Sequence, residues 1–324
     1  MNTHAKIEVM NLSKQYGNVQ AVSDVSFSVG DKAVLGFLGP NGAGKTTVMK
    51  ILTGFHFPSS GKALVDGIPV DENPLEVKKR IGYLPENVPL YGDLTVDEYL
   101  AFCAQARDIP KEEQSNAINT SLEACGLLSY RGRRIETLSK GYKQRAGLAQ
   151  AILHDPPILI LDEPTTGLDP NQIIEIRSLI KELGKRKTVI LSTHILQEVE
   201  AICTQVLIIN EGRIAAQGSP EEIAGTMKGG DTWELVLKSS DLQTVKDKLN
   251  QLDGAANVLV ETTEDGFISA SFFIPSQESP ASEGCVNSGE RIFDWAVSGG
   301  FKILEMNRRK LSIEDIFVKL TGAL

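Results

Sequence analysis

Cysteine is scarce in this sequence, and long apolar runs are missing. Its 324 residues include no CxxC pair or Cys/His cluster, and the four cysteines are Cys103, Cys125, Cys203 and Cys285. Zinc sites and disulfide frameworks need such clusters, so we expect reduced, packed thiols. A membrane-spanning helix needs about 20 consecutive apolar residues. The apolar runs at 33–38 and 158–161 stop at a glycine or an acid, so no transmembrane helix is predicted.

An excess of positive charge and an N-terminal leader pattern are also lacking. Lys and Arg number 33 against 42 Asp and Glu, which gives a formal net charge of −9. This acidic balance disfavours broad electrostatic binding to a nucleic-acid backbone, so we expect no nucleic-acid partner. Residues 1–10 contain neither a basic stretch nor an apolar run of signal-peptide length. We therefore expect a cytoplasmic chain.

Apolar runs in the first 227 residues predict an α/β domain. Strands buried on both faces are predicted at Ala33–Leu38, Ile158–Leu161, Thr188–Ser192 and Val206–Asn210. Helical periodicity lies between them, after Thr46 and at about 94–107, 142–153 and 171–183. Buried strands that alternate with helices favour a mostly parallel sheet covered by helices.

The character of the chain changes at the polar, glycine-containing segment 228–231. Beyond it, the apolar patterns predict strands and helices in the order βαββαβ, followed by a terminal helix at 312–320. This order is typical of a small α+β domain of the ferredoxin-like type, which we place at residues 228–324. Residues 275–290 are rich in Pro, Ser, Glu and Gly and predict a mobile surface loop.

A glycine-rich segment follows the first buried strand and precedes a helical pattern. It fits GxxxxGK[ST] and consists of Gly39, Pro40, Asn41, Gly42, Ala43, Gly44, Lys45 and Thr46, with Thr47 next. Glycines let backbone N–H groups curl around phosphate oxygens, and the helix N-terminus adds partial positive charge. We expect Lys45 to reach the β- and γ-phosphates of a nucleotide, and Thr46 to ligate Mg²⁺.

Two acids and a histidine end later strands. Asp162 and Glu163 follow the run 158–161, and His194 follows the run 189–193. The carboxyl ends of parallel strands meet at one edge, where open α/β sheets bind ligands. We expect Asp162 to bind Mg²⁺, Glu163 to act as the general base that activates the attacking water, and His194 to contact the γ-phosphate.

Further motifs resemble those of ATP-binding cassette (ABC) ATPases. One segment is similar to the family's signature, which contacts the phosphates at the partner's site: Leu138, Ser139, Lys140, Gly141 and Tyr142. Another is similar to its D-loop: Gly167, Leu168 and Asp169. His194 resembles the switch histidine, and Tyr16 the aromatic residue that stacks on adenine.

Three positions depart from the family pattern. Glu86 stands where the family has its Q-loop glutamine. A carboxylate there can ligate Mg²⁺ or hold the attacking water, but it adds negative charge beside the γ-phosphate. In the signature, Lys140 replaces a glycine and Tyr142 replaces a glutamine, whereas Ser139 and Gly141 remain. The remaining pair supplies a hydroxyl and a close backbone approach, so we expect working ATP hydrolysis.

The resemblance covers about residues 5–225 and implies an ABC ATP-binding domain at 1–227, with a helical subdomain at about 87–155. In that family, two domains pair head to tail, and each ATP lies between the phosphate loop of one and the signature of the other. We therefore expect ATP, Mg²⁺ and a homodimer, or a pseudo-dimer with a second ABC subunit. Residues 87–107 are expected to contact a separate membrane permease, which would hold the chain at the inner face of the cell membrane.

The C-terminal segment at 228–324 indicates which group of ABC ATPases the chain resembles. It looks like the tails of ATPase subunits of ABC-2-type exporters, of the drug-export and gliding-motility-like groups. The sequence thus predicts the ATP-binding and ATP-hydrolysing subunit of an exporter. Two alternatives remain, both without a permease: a soluble ABC-type ATPase that acts on ribosomes or DNA, and an ATP-dependent switch with little hydrolysis.

Overall fold

A computed structural model of the chain describes residues 5–220, 222–223, 230–238, 241–263, 265–275, 288–309, 316–317 and 320–321. The chain splits into two compact units, Met1–Pro220 with Phe317–Leu324 and Glu221–Ile316. Three expectations lie wholly or largely outside the described residues. They are the boundary at 227/228, the loop at 275–290 with Cys285, and the helix at 312–320.

The larger sheet of the first unit has six strands. They are β3 (Val34–Leu38), β6 (Ile81–Leu84), β7 (Ile158–Asp162), β8 (Thr188–Thr193), β9 (Gln205–Asn210) and β10 (Arg213–Gly218). Their order is β10-β9-β3-β8-β7-β6, and every neighbouring pair is parallel except β10 and β9. All residues of β3, β7 and β8 are buried, as their apolar runs predict.

A second, antiparallel sheet of the first unit has the order β2-β1-β4-β5. Its strands are β1 (Ile7–Tyr16), β2 (Val19–Val29), β4 (Ser60–Val65) and β5 (Ile68–Pro69). Side chains from both sheets and from the helix after β3 share one core, among them Val9, Phe37, Met49 and Ile160. This antiparallel sheet adds a layer to the parallel sheet that the sequence predicts.

The first unit contains, within residues 5–220, the helices α1 (Lys45–Leu52), α2 (Pro74–Arg80), α3 (Val96–Ala106), α4 (Lys111–Ala124), α5 (Lys140–Ile152), α6 (Pro170–Gly184) and α7 (Leu196–Ile202). Helices α3, α4 and α5 contact one another. No helix in the described part of the chain is long and apolar enough to cross a membrane. The α/β fold class is confirmed.

The second unit contains an antiparallel sheet with the order β12-β13-β11-β14. Its elements are β11 (Gly230–Lys238), α8 (Leu242–Asn250), β12 (Ala256–Thr262), β13 (Ile268–Pro275), α9 (Ser288–Gly299) and β14 (Lys302–Arg309). Trp233 and Leu235 of β11 pack in one core with Leu249 of α8 and Ile292 of α9. Both helices therefore pack on this sheet and share one hydrophobic core with it.

Three of the cysteines, Cys103, Cys125 and Cys203, are free thiols. Burial raises the pKa of Cys125 and of Cys203 to about 12. A thiol with so high a pKa is protonated at neutral pH, so neither side chain is a nucleophile.

The start of α3 carries a capping box. Thr95 Oγ1 accepts a hydrogen bond from the backbone N–H of Glu98 at 3.2 Å, and Glu98 Oε2 accepts one from the backbone N–H of Thr95 at 2.8 Å. Two N–H groups that have no partner inside the helix are thereby satisfied.

We predict that Thr95→Ala lowers the free energy of unfolding of the first unit by about 1 kcal/mol, because it removes the cap. Urea denaturation measures the change. The matched control is Thr120→Ala on the exposed face of α4, for which we expect a change within about 0.5 kcal/mol. Equal losses in the two variants would contradict a specific contribution of the cap.

Candidate nucleotide-binding site

The loop between β3 and α1 is shaped by crowding around its glycines. Gly44 has φ +105°, and a Cβ built there would lie 2.6 Å from the carbonyl oxygen of Ala21. A side chain is therefore excluded both by backbone conformation and by space. Lys45 directly follows and begins α1.

A cavity of about 360 Å³ lies over this loop. Most of its lining was predicted from the sequence: Pro40, Asn41, Gly42, Ala43, Gly44, Lys45, Thr46, Thr47, Glu86, Glu163 and His194. Gly39 lies next to the cavity, because its carbonyl oxygen accepts a hydrogen bond from Lys45 Nζ. Ala21 and Thr166 complete the lining. No signal marks Ala21 in the sequence, whereas Thr166 adjoins the predicted D-loop.

The Lys45 ammonium is held inside this cavity. Its Nζ atom donates to the carbonyl oxygens of Gly39 at 2.8 Å and Pro40 at 3.3 Å, and it lies 3.4 Å from Glu163 Oε1. The side chains of Lys45 and Glu163 are only 6% and 8% exposed. A buried cation next to loop backbone is placed to bind the oxygens of an entering polyphosphate.

Glu163 occupies an unusual backbone conformation at the end of β7. Its φ is +49°, in the left-handed region, and its backbone N–H lies 3.1 Å from both the carbonyl and the hydroxyl oxygen of Ser192. Such a conformation costs of order 1 kcal/mol and persists where surrounding contacts enforce it. Its Oε2 atom lies 2.8 Å from His194 Nδ1 and accepts from the Thr166 hydroxyl at 3.2 Å. The Glu163 carboxylate thus contacts both the Lys45 ammonium and the imidazole of His194, which directly follows β8.

Asp162 keeps one carboxylate oxygen without a partner. The residue is 1% exposed, and Oδ1 accepts a hydrogen bond from the Ser192 hydroxyl. Oδ2 is buried and has no hydrogen-bond partner among the described residues. A buried carboxylate oxygen of this kind suits a hard divalent cation. Burial raises the pKa of the adjacent Tyr83, and the charges of Asp162 and Glu86 add to that effect.

The predicted signature lies outside the lining of this cavity. Ser139 is the N-cap of α5, and a Cβ on Gly141 would collide with the side-chain amide of Gln172. The Lys140 ammonium lies against Gly167, the last residue of the turn at 163–167, which we call the Glu163 turn. Leu138 is buried. The signature therefore packs on the D-loop and the start of α6 in the same chain, where the Asp169 carboxylate accepts from the N–H of Gln172 at 3.0 Å.

Tyr142 is held by an aromatic stack. Its ring lies 3.9 Å from that of Tyr130, with Arg145 over one ring at 5.9 Å and Arg133 over the other at 5.0 Å. A hydrogen bond with Tyr130 raises the pKa of Tyr142. Stacking of this kind contributes about 1 kcal/mol beyond burial, so the position that departs from the family pattern fastens α5 to its neighbouring segment.

Tyr16 is not among the residues that line the cavity. Its ring is 41% exposed and meets the ring of His56 edge-on at 5.7 Å between centroids. The ammonium of Lys14 lies 5.0 Å from the centre of the same ring. The ring is therefore available at the surface, with a cation beside it.

A buried strand, a glycine-rich loop, a helix that begins with a buried lysine, and two strand-end acids define a P-loop nucleotide-binding protein. The family described as ABC transporter matches residues 22–166. The chain is 35% identical over 319 residues to the bacitracin transport ATP-binding protein BcrA of Bacillus licheniformis, covering 98% of this chain and 97% of that protein.

One more relative and one solved structure are also similar to this chain. The Nod factor export ATP-binding protein I of Cupriavidus metallidurans is 30% identical over 319 residues, which cover 98% of each chain. A solved structure of an ATP-binding subunit of an ABC transporter is 32% identical with a TM-score of 0.62, and the match covers 68% of this chain and 92% of that chain. The chain belongs to the family of ABC transporter ATP-binding proteins, and it binds and hydrolyses ATP.

We predict that Gly44→Ala weakens ATP binding at least ~10-fold, because a Cβ cannot fit beside Ala21 without moving the loop. Titration with a fluorescent ATP analogue measures the loss. The control is Gly67→Ala, at φ +77° with nothing within 4 Å of the added Cβ. It carries a similar backbone strain away from the cavity, and equal affinities in both variants would show that crowding at Gly44 is unimportant.

Proposed function

We propose that the chain is the ATP-hydrolysing subunit of an ABC exporter and that it drives a separate membrane permease. The observation that carries this proposal is the nucleotide cavity, in which the Glu163 carboxylate contacts both the Lys45 ammonium and the His194 imidazole. Relatives whose names state bacitracin transport and Nod factor export support the transport role. The chain would then work in the cytoplasm, at the inner face of the cell membrane, through the permease.

The three residues have separate tasks in this proposal. When ATP binds, the Lys45 ammonium pairs with its phosphates in place of Glu163, and the Glu163 carboxylate is freed from the ion pair. Glu163 then accepts a proton from the water that attacks the γ-phosphorus, while the bond to the bridging oxygen of ADP breaks. His194 holds Glu163 through Nδ1 and contacts the γ-phosphate from its exposed side.

The donor set also fits a magnesium ion. Thr46, Asp162 and Glu86 would hold Mg²⁺, and the orphaned Oδ2 of Asp162 is the observation that supports this assignment. The bound ion would neutralise charge on the phosphates and offset the negative charge that Glu86 brings. Tyr16, which is exposed, would stack on the adenine.

The position of the signature supports a second copy of the chain in the working site. Ser139 and Gly141 lie outside the cavity of their own chain, as expected if each chain carries half of a shared site. We propose that two chains, or this chain and a second ABC subunit, pair so that each signature covers the ATP of the other.

The permease would dock in an apolar groove of about 460 Å³ in the first unit. Phe55, Tyr83, Pro85 and Pro89 line it, and the Phe55 side chain is 63% exposed. Pro85 and Asn87 flank Glu86, which lines the nucleotide cavity, so the groove and the cavity share one loop. Occupation of the groove can thereby respond to the nucleotide.

We predict that Glu163→Gln lowers the rate of phosphate release ~100-fold or more, since an amide cannot accept the proton of the attacking water. ATP affinity is expected to be retained, because Lys45 loses a competing carboxylate. The measurements are phosphate release and ATP titration on the same preparation. Glu182→Gln, which changes an exposed acid on α6, is the matched control. Normal turnover in Glu163→Gln would remove the assignment of the base.

We also predict that Phe55→Asp abolishes co-purification of the permease with the tagged chain, because it replaces the exposed aromatic ring of the groove with a carboxylate that would lose its water on docking. Leu128→Asp, at an exposed position outside the groove, is the control and should retain the partner. Retention of the permease by Phe55→Asp would exclude the groove as the docking site. Recovery of ribosomes in place of a membrane protein would favour the soluble alternative.

A further inference from the structure

A buried acid lies behind the nucleotide cavity without lining it. Glu198 is on α7, and its side chain is 1% exposed. Its Oε1 atom accepts a hydrogen bond from Thr165 Oγ1 at 2.5 Å, and its Oε2 atom accepts one from Thr193 Oγ1 at 2.8 Å. The guanidinium of Arg177 lies 3.5 Å from Oε1.

The three partners of Glu198 belong to three different segments near the nucleotide cavity. Thr165 lies two residues after Glu163, and Thr193 immediately precedes His194. Arg177 is on α6, the helix whose N-cap is the D-loop residue Asp169. One carboxylate therefore connects the turn after the proposed base, the strand end that carries the histidine, and the helix after the D-loop.

The hydrogen bonds leave little freedom at the histidine end. The Thr193 hydroxyl donates to Glu198 and accepts from the backbone N–H of Ile195 at 3.0 Å, so contacts on both sides of His194 fix the chain. A carboxylate removed from water is stable only when its partners are in place, because an unpaired buried charge is costly. The network therefore favours one relative placement of the Glu163 turn and His194.

We infer that Glu198 is a positioning residue for ATP hydrolysis: through Thr193 and Thr165 it holds His194 and the Glu163 turn in the geometry that the reaction requires. Glu198 does not line the nucleotide cavity, so its removal should affect turnover more than ATP affinity. This inference rests on ATP hydrolysis and not on export.

The test uses a pair of variants at Thr193 that differ in the hydroxyl. Thr193→Val keeps the shape of the side chain and removes its hydrogen bonds, whereas Thr193→Ser keeps the hydroxyl. We expect kcat of Thr193→Val to fall at least ~10-fold, since small displacements of catalytic groups cost that much or more. Its ATP affinity should stay within twofold of the wild type, and Thr193→Ser should restore most of kcat.

A second comparison shows whether Thr193 acts with Glu198. Glu198→Gln should lower kcat in the same direction, because its amide presents a donor to a hydroxyl that also donates. The double variant Glu198→Gln/Thr193→Val should lose no more than the more damaged single variant, as expected for residues that act as one unit.

Three results would overturn the inference. One is wild-type kcat in Thr193→Val. Another is a parallel loss of kcat, ATP affinity and thermal stability in Thr193→Val, which would indicate a structural role alone. The third is full additivity of the two substitutions. A wild-type chain that releases no phosphate would overturn the ATPase assignment together with this inference. If the wild-type chain hydrolyses ATP, any of the three results above would overturn only the positioning role of Glu198.

Discussion

Parallel pairing of β3, β7 and β8 is the constraint on which the nucleotide cavity depends. Leu38 pairs with Thr193, and Asp162 pairs with Ser192, so the three strands end at the same level. The glycine-rich loop, Glu163 and His194 leave the sheet at this edge. Because the strands are buried on both faces, their register is fixed by packing, and the distances between Lys45, Glu163 and His194 follow from it.

Most of the buried charged side chains among the described residues lie at this edge. Lys45, Asp162, Glu163 and Glu198 are all buried, and each except Asp162 Oδ2 has its charged atoms partnered by named groups. The net charge of −9 plays no part in this arrangement, since the positive field at the cavity comes from the Lys45 ammonium and from the loop at the start of α1. Local geometry, and not overall charge, prepares the site for a polyphosphate.

Much of the first unit could be predicted because its central strands are continuous apolar runs between turn signals. The strand Ser60–Val65 could not, since it begins with Ser, Gly and Lys and its first three residues are exposed. Helix α4 was missed because its sequence is mostly polar and only three of its residues are buried. Motif spacing identified nearly all of the cavity lining. The Glu198 network could not be found in this way, because Thr165, Arg177 and Thr193 meet only after the sheet has formed.

The proposed division of the site between two chains is the central claim, and complementation tests it most directly. Lys45→Met removes the phosphate contact and Ser139→Arg blocks the signature, and each variant alone should release no phosphate. In a mixture, a pair formed from one chain of each kind has one site with an intact phosphate loop and an intact signature. We predict that the mixture regains phosphate release. A mixture as inactive as its two components would contradict the shared site.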